Sequence, residues 1–485
     1  MKINMPEKVK FIIGKLAEAG FEGYAVGGCV RDSILGRAPK DWDITTNASP
    51  EEVKYLFRRT IDTGIEHGTV TVMLDKEGFE VTTYRIDGKY EDNRHPSEVT
   101  FARNLADDLL RRDFTINAMA YNDTEGVVDL FGGIEDLDNG VLRAVGNPME
   151  RFKEDALRIM RAVRFSAELG FDIEEETFEA MKHFTPNLAS ISAERIRVEL
   201  QKLIMGPYPE KIKLAVDAGI TDVVFPEWNE AVKTGQENDH HIYNVADHTV
   251  ESIKVIHKLI SLHDGDAGVK AGIDTACQKV YVPDLVDYEF TRKEQQILCL
   301  TMLLHDIGKP YTKSFKDGKA HFYGHQQLSS EMSVEILRRL KYDNETISMV
   351  KVLILHHDDR FRYKWEPGSS DARKLARKIG MDAVRLLIPV QYADALAQAP
   401  HCFEKSLEQI GRMKVLCDEI SEKNQCVTLK DLAVSGKDLI SMGVPAGPEL
   451  GRILERMLDR VIEEPDYNNY EKLMKLAEEI SEVKK

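Results

Sequence analysis

Asp41 and Asp43 flank one tryptophan and lie just downstream of Gly27-Gly28-Cys29-Val30-Arg31-Asp32. In an extended run the side-chain period of two puts both carboxylates on one face, where they can share divalent ions. Mg²⁺ takes hard oxygen ligands, commonly one or two carboxylates plus substrate phosphates, so such a pair suits two ions that activate a 3′-hydroxyl and steady a leaving pyrophosphate. An Asp-x-Asp alone is more often a solvated turn or a helix cap. The glycine pair upstream shifts the balance. Tyr24-Ala25-Val26 reads as a short strand, the glycines as a tight turn and Arg31 to Leu35 as the first turns of a helix. Glycine lets the backbone approach an anion closely, the start of a helix favours a triphosphate, and Arg31 adds a fork of donors. Joined, the two features suit nucleotidyl transfer.

A second cluster, Arg111-Arg112-Asp113-Phe114-Thr115-Ile116-Asn117-Ala118-Met119, sets polar groups at the mouth of an expected helix whose Phe114, Ile116 and Met119 are apolar. Asp113 is either an N-cap or, with Asn117 and an arginine, a contact to the ribose and phosphates of a nucleotide. A third cluster runs from Glu154 to Phe165 with a helical period: Ile159, Met160 and Val163 fall on one side, Arg158 and Arg161 on the other. Asp155 lies one turn before Arg158. An Asp–Arg pair sets an acceptor beside donors, which matches the Watson–Crick edges of cytosine and adenine and mismatches uracil and guanine. The same spacing also makes an ordinary surface salt bridge.

The three clusters in this order, with Thr63-Gly64-Ile65-Glu66-His67-Gly68-Thr69-Val70 between them, resemble the bacterial and eukaryotic class of CCA-adding tRNA nucleotidyltransferases and the related poly(A) polymerases. The likeness covers roughly the first 230 residues and returns at Leu432 to Asp438 and Pro445 to Pro448. It implies that Asp41 and Asp43 hold Mg²⁺, that Gly27, Gly28 and Arg31 contact the triphosphate, that Arg112, Asp113 and Asn117 face the ribose, and that Asp155, Arg158 and Arg161 read the base. It implies CTP and ATP as substrates and tRNA as partner. The stretch from Tyr84 through Arg94-His95-Pro96 resembles the family's flexible loop, which favours an enzyme able to add the terminal A. Glu80, on an expected strand at Phe79-Glu80-Val81, is a candidate third carboxylate. Poly(A) tailing and A-only addition remain as alternatives, because tail length is not encoded in head motifs.

Farther along, His248, His305-Asp306 within Leu303-Leu304-His305-Asp306-Ile307-Gly308-Lys309, His325, His356 and Asp394 form another constellation. The set resembles the HD family of metal-dependent phosphohydrolases. That resemblance implies His248, His305, Asp306 and Asp394 as ligands of a second divalent metal, with His325 and His356 serving a further metal or the scissile phosphate. A polar insertion from Leu262 to Tyr288 departs from the family pattern and leaves the substrate open. A hydrolase whose head only binds ligand is therefore a further alternative.

These residues need a scaffold. Strand-like and helical runs alternate to about residue 145, with strands expected at Thr69 to Leu74 and Phe79 to Tyr84, and helical periods dominate afterwards. The expected fold class is α+β. The resemblance implies a polymerase β-like nucleotidyltransferase head (1–146), a helical neck that recognises the base (147–234), an HD domain (235–400) and a helical body and tail that bind tRNA (401–485). At 485 residues the chain is too long for one core. A formal charge of −17 argues against diffuse nucleic-acid binding and confines RNA contacts to local patches. Arg373, Lys374, Arg377 and Lys378 are expected on a solvated helix face. Six scattered cysteines (Cys29, Cys277, Cys299, Cys402, Cys417 and Cys426) lack paired metal spacing and fit a reduced, cytoplasmic compartment. No apolar run approaches a membrane span, and the first residues read as an amphipathic helix and not as a secretory signal.

Overall fold

The computed structural model describes residues 1–64, 68–87, 99–102, 104–261, 272–274, 279–281, 289–359 and 367–482. The chain divides into two compact units, Met1–Asn229 and Glu230–Lys485. This division falls five residues before the expected boundary at 234.

The first unit is built on seven strands: β1 (Gly23–Val26), β2 (Ile44–Thr46), β3 (Thr60–Gly64), β4 (Thr69–Leu74), β5 (Glu77–Thr83), β6 (Met119–Asn122) and β7 (Gly126–Asp129). Their order across the mixed sheet is β3-β4-β5-β2-β1-β6-β7. Only β2 and β5 run parallel, with Ile44 opposite Val81. Alternation along β1 sends Tyr24 and Val26 to one face, where they pack with Ala118, Ala120, Leu105 and Leu109. The helix Leu105–Leu110 that supplies those leucines also carries a fully buried carboxylate, Asp108, to the sheet.

Two local expectations change. Asp41 and Asp43 precede β2 and are not part of it, although the ladder reaches Asp43 through the bond from Val26 N to its carbonyl at 3.0 Å. The segment after Asp113 is one 3₁₀ turn, Thr115–Asn117, leading into β6, and not a helix. Residues 113–121 are buried without a break, on both faces of the chain, and β6 hydrogen-bonds to β1, so sheet pairing overrides the helical reading. The third cluster is helical but interrupted: Pro148–Glu154 ends at Asp155, and Leu157–Leu169 follows.

The second unit is mainly helical. Val245–Ser261, His325–Arg339, Asn344–His356 and Met381–Leu396 carry His248, His325, His356 and Asp394, His305 and Asp306 follow directly on the end of Arg292–Leu304, and Phe403–Glu422, Pro448–Glu463 and Tyr470–Glu482 come after. A hairpin, Ser314–Lys316 paired with Lys319–His321, interrupts this pattern. The basic face of Ser369–Ile379 is not simply solvated. Arg373 donates to the Ile462 carbonyl at 2.6 Å, Lys374 pairs with Glu463, and Arg377 pairs with Glu455 and Asp459. The amphipathic acidic helix Pro448–Glu463 supplies those partners, which local periodicity could not reveal. No described helix is long and apolar enough to cross a membrane.

Candidate active site and second metal-binding cluster

Gly27 has φ +80 and ψ −127, in the region open to glycine, and caps the short helix Gly28–Ile34. A Cβ there would lie 3.0 Å from Nη1 of Arg112, so the turn and that guanidinium are immediate neighbours. Asp41 and Asp43 line an open cavity of about 670 Å³ together with Lys40, Phe79 and Glu80. Pairing of β2 with β5 brings Glu80 beside Asp43. Burial pushes the Asp43 carboxyl up, and the charges of Glu80 and Asp41 add to it against the pull of Arg112. Crowded carboxylates with that electrostatic strain fit a hard divalent cation, which removes the repulsion.

From Arg31, on the helix after the glycine turn, the polar residues form one chain. Arg31 Nη1 donates to Asn117 Oδ1 at 2.7 Å, and Asn117 Nδ2 donates to Asp113 Oδ1 at 3.1 Å. The other Asp113 oxygen accepts from Arg161 Nε at 2.8 Å. Burial alone would raise the Asp113 carboxyl, but Arg161 and the Asn117 hydrogen bond outweigh it and hold the group well below the usual range. Arg31, Arg161 and Arg164 all lie over the Phe165 ring, the last at 3.5 Å. Arg112 is held separately. Asp108 Oδ2 accepts from its Nη2 at 3.2 Å and from Thr45 Oγ1 at 3.1 Å, while Oδ1 takes two bonds from Arg111.

Asp155 and Arg158 do not pair with each other. Asp155 Oδ2 accepts from Arg195 Nη2 at 2.7 Å, and its Oδ1 accepts from Leu157 N at 3.0 Å. Arg158 donates to Glu154 at 2.7 Å and to the Arg111 carbonyl at 2.8 Å. Sequence reading missed Asp108, Glu154 and Arg195. The i+3 and i+4 spacing of Asp108 to Arg111 and Arg112, and of Glu154 to Arg158, carried a local signal for two of them; Arg195 is distant in sequence and gave none.

In the second unit His248, His305, Asp306 and Asp394 are buried, with candidate ligand atoms all within 4.8 Å of one another. His248 Nε2 lies 3.0 Å from Asp394 Oδ1 and 3.2 Å from His305 Nε2, which is itself 3.2 Å from Asp306 Oδ2. The Nδ1 atoms of both histidines face backbone carbonyls, those of Ala397 and Met302. A carbonyl can only accept, so each Nδ1 carries the proton and each Nε2 turns a lone pair inward. Four acceptors thus converge and require a positive charge among them. Burial lowers His305, yet Asp306 and Asp394 raise it to about 10, which marks how strongly the two carboxylates favour positive charge at this point.

Asp306 also reaches a second group. Its Oδ1 lies 3.4 Å from His325 Nε2 and 3.9 Å from His357 Nε2, and the Nδ1 atoms of these histidines again face carbonyls, of Phe322 and Ile354. Lys309 Nζ pairs with Asp306 Oδ2 at 2.7 Å, on the side of the first group, while Oδ1 faces the second. The carboxylate is therefore placed to bridge two cations. The expected partner His356 is a correction: its Nδ1 is bound to Asp359 at 2.5 Å, and its neighbour His357 takes the place in the cluster. Consecutive helical residues point about 100° apart, so one of the two had to face elsewhere. His241, its ring 5.3 Å from that of His248, lines the cavity over the cluster and was not foreseen.

Family models match along most of the chain: a poly A polymerase head domain over residues 23–143, a probable RNA and SrmB-binding site of polymerase A over 170–232, and a tRNA nucleotidyltransferase domain 2 over 320–477. The chain belongs to the poly(A) polymerase and tRNA nucleotidyltransferase family. Within this family it is similar to the CCA-adding enzyme of Leuconostoc mesenteroides, 56% identical over 195 residues that make up 40% of this chain and 49% of that protein. The CCA-adding enzyme of Enterococcus faecalis is 54% identical over 40% of this chain and 48% of its own length. The chain thus spans about half the length of the curated relatives it matches. Among solved structures, that of the Bacillus stearothermophilus CCA-adding enzyme in complex with CTP superposes with a TM-score of 0.68 at 27% identity, covering 99% of both chains. The Thermotoga maritima CCA-adding enzyme complexed with tRNA shares the fold, with a TM-score of 0.58 at 20% identity over 99% of this chain and 100% of its own.

Proposed function

We propose that this family member is a CCA-adding tRNA nucleotidyltransferase that uses CTP and ATP to build or repair the 3′ end of tRNA. The observation that carries this reading is the convergence of Asp41, Asp43 and Glu80 on one cavity near the Gly27 turn and Arg112. Asp41 and Asp43 would hold Mg²⁺, which when bound supplies activation of a 3′-hydroxyl and charge neutralisation at the leaving pyrophosphate. Arg31 and Arg112, each fixed by a buried acceptor, bind and orient the triphosphate beside the glycine turn. Asn117 and Asp113 hold the ribose side and tie it to Arg161. Base selection by Asp155, Arg158 and Arg161 requires exchange of their present partners, Arg195, Glu154 and Asp113, for the edge of C or A. The four-part division into head, neck, HD domain and tRNA-binding tail, and a cytoplasmic site of action, complete the proposal.

The test is to incubate a tRNA transcript lacking CCA with all four nucleotides and sequence the product ends. Addition limited to C-C-A supports the proposal, and Asp41→Ala should abolish it while tRNA binding persists. A long homopolymer would make the protein a poly(A) polymerase, and addition of A alone to a transcript ending in CC would make it A-specific. A second reading rests on the convergent acceptors around Asp306: His248, His305, Asp306 and Asp394 would hold one divalent cation and Asp306, His325 and His357 another. A metal there supplies acidified water for hydrolysis of a phosphate ester. Lys309 and the buried histidines orient the ester and exclude bulk solvent.

A further inference from the structure

In the first unit β4 and β5 present two different faces. Val70, Val72 and Val81 are fully buried, as is Ile44 of β2, and the helices Glu7–Glu18 and Pro50–Leu56 pack against these strands. The alternate positions point the opposite way. There Thr71 stands opposite Glu80, Thr69 opposite Thr82 and Thr82 beside Thr45, so two rows run across the sheet from the metal-suited acids. Gly78, two residues before Glu80, keeps this face low, since a Cβ there would lie 2.8 Å from Thr71 Cγ2. Glu80 and Thr63 are exposed, and Thr69 and Thr82 are half-buried. Thr63 Oγ1 lies 2.7 Å from Thr71 Oγ1, and Thr69 Oγ1 lies 3.0 Å from Thr82 Oγ1. A hydroxyl has one hydrogen, so within each pair one O–H is donated to its neighbour, and the pair keeps one hydrogen and spare lone pairs to offer. Valine would serve the strands equally well, so strand formation does not demand these hydroxyls.

In nucleotidyl transfer the attacking 3′-oxygen and the departing pyrophosphate lie on opposite sides of the α-phosphorus: the new O–P bond forms, the bond to pyrophosphate breaks, and the hydroxyl proton passes to water. The glycine turn after β1, with Arg31, Arg112 and Asn117, sets the triphosphate on the β1–β6 side of Asp43. The other neighbour of β2 in the sheet is β5. We infer that the hydroxyl-lined face of β5 and β4 receives the 3′-terminal ribose of the RNA acceptor, with its 3′-hydroxyl beside Asp43 and Glu80 and its 2′-hydroxyl on the Thr69–Thr82 pair. The inference rests on the reading of Asp41 and Asp43 as the transferase centre and names the residues that position its second substrate. A 2′-hydroxyl both donates and accepts, as the threonine pair does, and it is the group that separates an RNA end from a DNA end.

The test is steady-state kinetics of the full chain with Mg²⁺, CTP and a tRNA transcript lacking CCA. The double variant Thr69→Val/Thr82→Val keeps the β-branched shape and removes the hydroxyls. It should raise KM for the transcript roughly threefold to tenfold while KM for CTP stays at the wild-type value. Thr82→Ser, which retains the hydroxyl, should keep both constants of the wild type. A transcript with a 2′-deoxy residue at its 3′ end closes the cycle. Wild type should lose the same factor on that transcript, and the double variant should lose nothing further. An unchanged KM for the transcript in the double variant, an equal rise for CTP, or losses that multiply when variant and deoxy transcript are combined overturns the inference and leaves the transferase reading standing. Wild type that adds no nucleotide refutes the transferase reading and takes this subsite with it.

Discussion

Replacing Asp113 by asparagine removes one charge and almost no volume, yet it strikes the centre of the polar chain in the first unit. Both oxygens of the carboxylate accept: Oδ1 takes Phe114 N at 2.8 Å and Asn117 Nδ2 at 3.1 Å, and Oδ2 takes Arg161. An amide in either orientation must point its NH₂ at a donor. The loss combines charge-assisted bonds, about 1.5–3 kcal/mol, with a mismatched buried group, about 1–3 kcal/mol. The Arg161 side chain is 33% exposed, so solvent screening lowers the first figure and a total of about 3 kcal/mol is expected. For a unit of this size that is a fall in Tm of about 6–12 °C, measured on the transition of the N-terminal unit by calorimetry at neutral pH. The sign with pH follows from the depressed folded pKa. The carboxylate's contribution is complete well above the unfolded value near 3.8 and is lost as pH falls through that value toward the folded one. The gap between wild type and variant should therefore narrow by about 1 kcal/mol from pH 5 to pH 3. Equal Tm values at neutral pH, or a gap that widens on acidification, would refute the assigned role.

Gly27→Ala places a methyl group in left-handed backbone and 3.0 Å from Arg112, so KM for both nucleotides should rise about tenfold in steady-state kinetics, with little change in tRNA affinity. Asp155→Ala removes the acceptor of Arg195 and should relax discrimination of C and A against U and G more than it slows total transfer; unchanged misincorporation in single-nucleotide assays would dismiss the base-reading role. His357→Ala should cost one bound metal per chain by elemental analysis, whereas His356→Ala, bound to Asp359, should keep the full complement.

Local chemistry made a large part of the first site legible. A glycine pair after a short strand and carboxylates two apart carry their meaning within a few residues, because a tight turn and an extended run are properties of the local backbone. The same holds for His305-Asp306, whose adjacency places an imidazole and a carboxylate at one helix end. The flexible loop expected between Tyr84 and Pro96 falls largely on residues 88–98, outside the described residues, as does most of the insertion from Leu262 to Tyr288.

By itself the sequence determined the order of elements, the mixed head followed by helices, the metal-suited acids and the HD-like ligand types. Tertiary structure alone decided the partners. Thr45 meets Asp108 because the helix Leu105–Leu110 packs on the sheet, Arg195 meets Asp155 across 40 residues of chain, and a rotation of one helical position exchanges His356 for His357. Spacing specifies which face a residue can occupy, whereas the element packed against that face specifies which group it meets, and that choice is made only when the core closes.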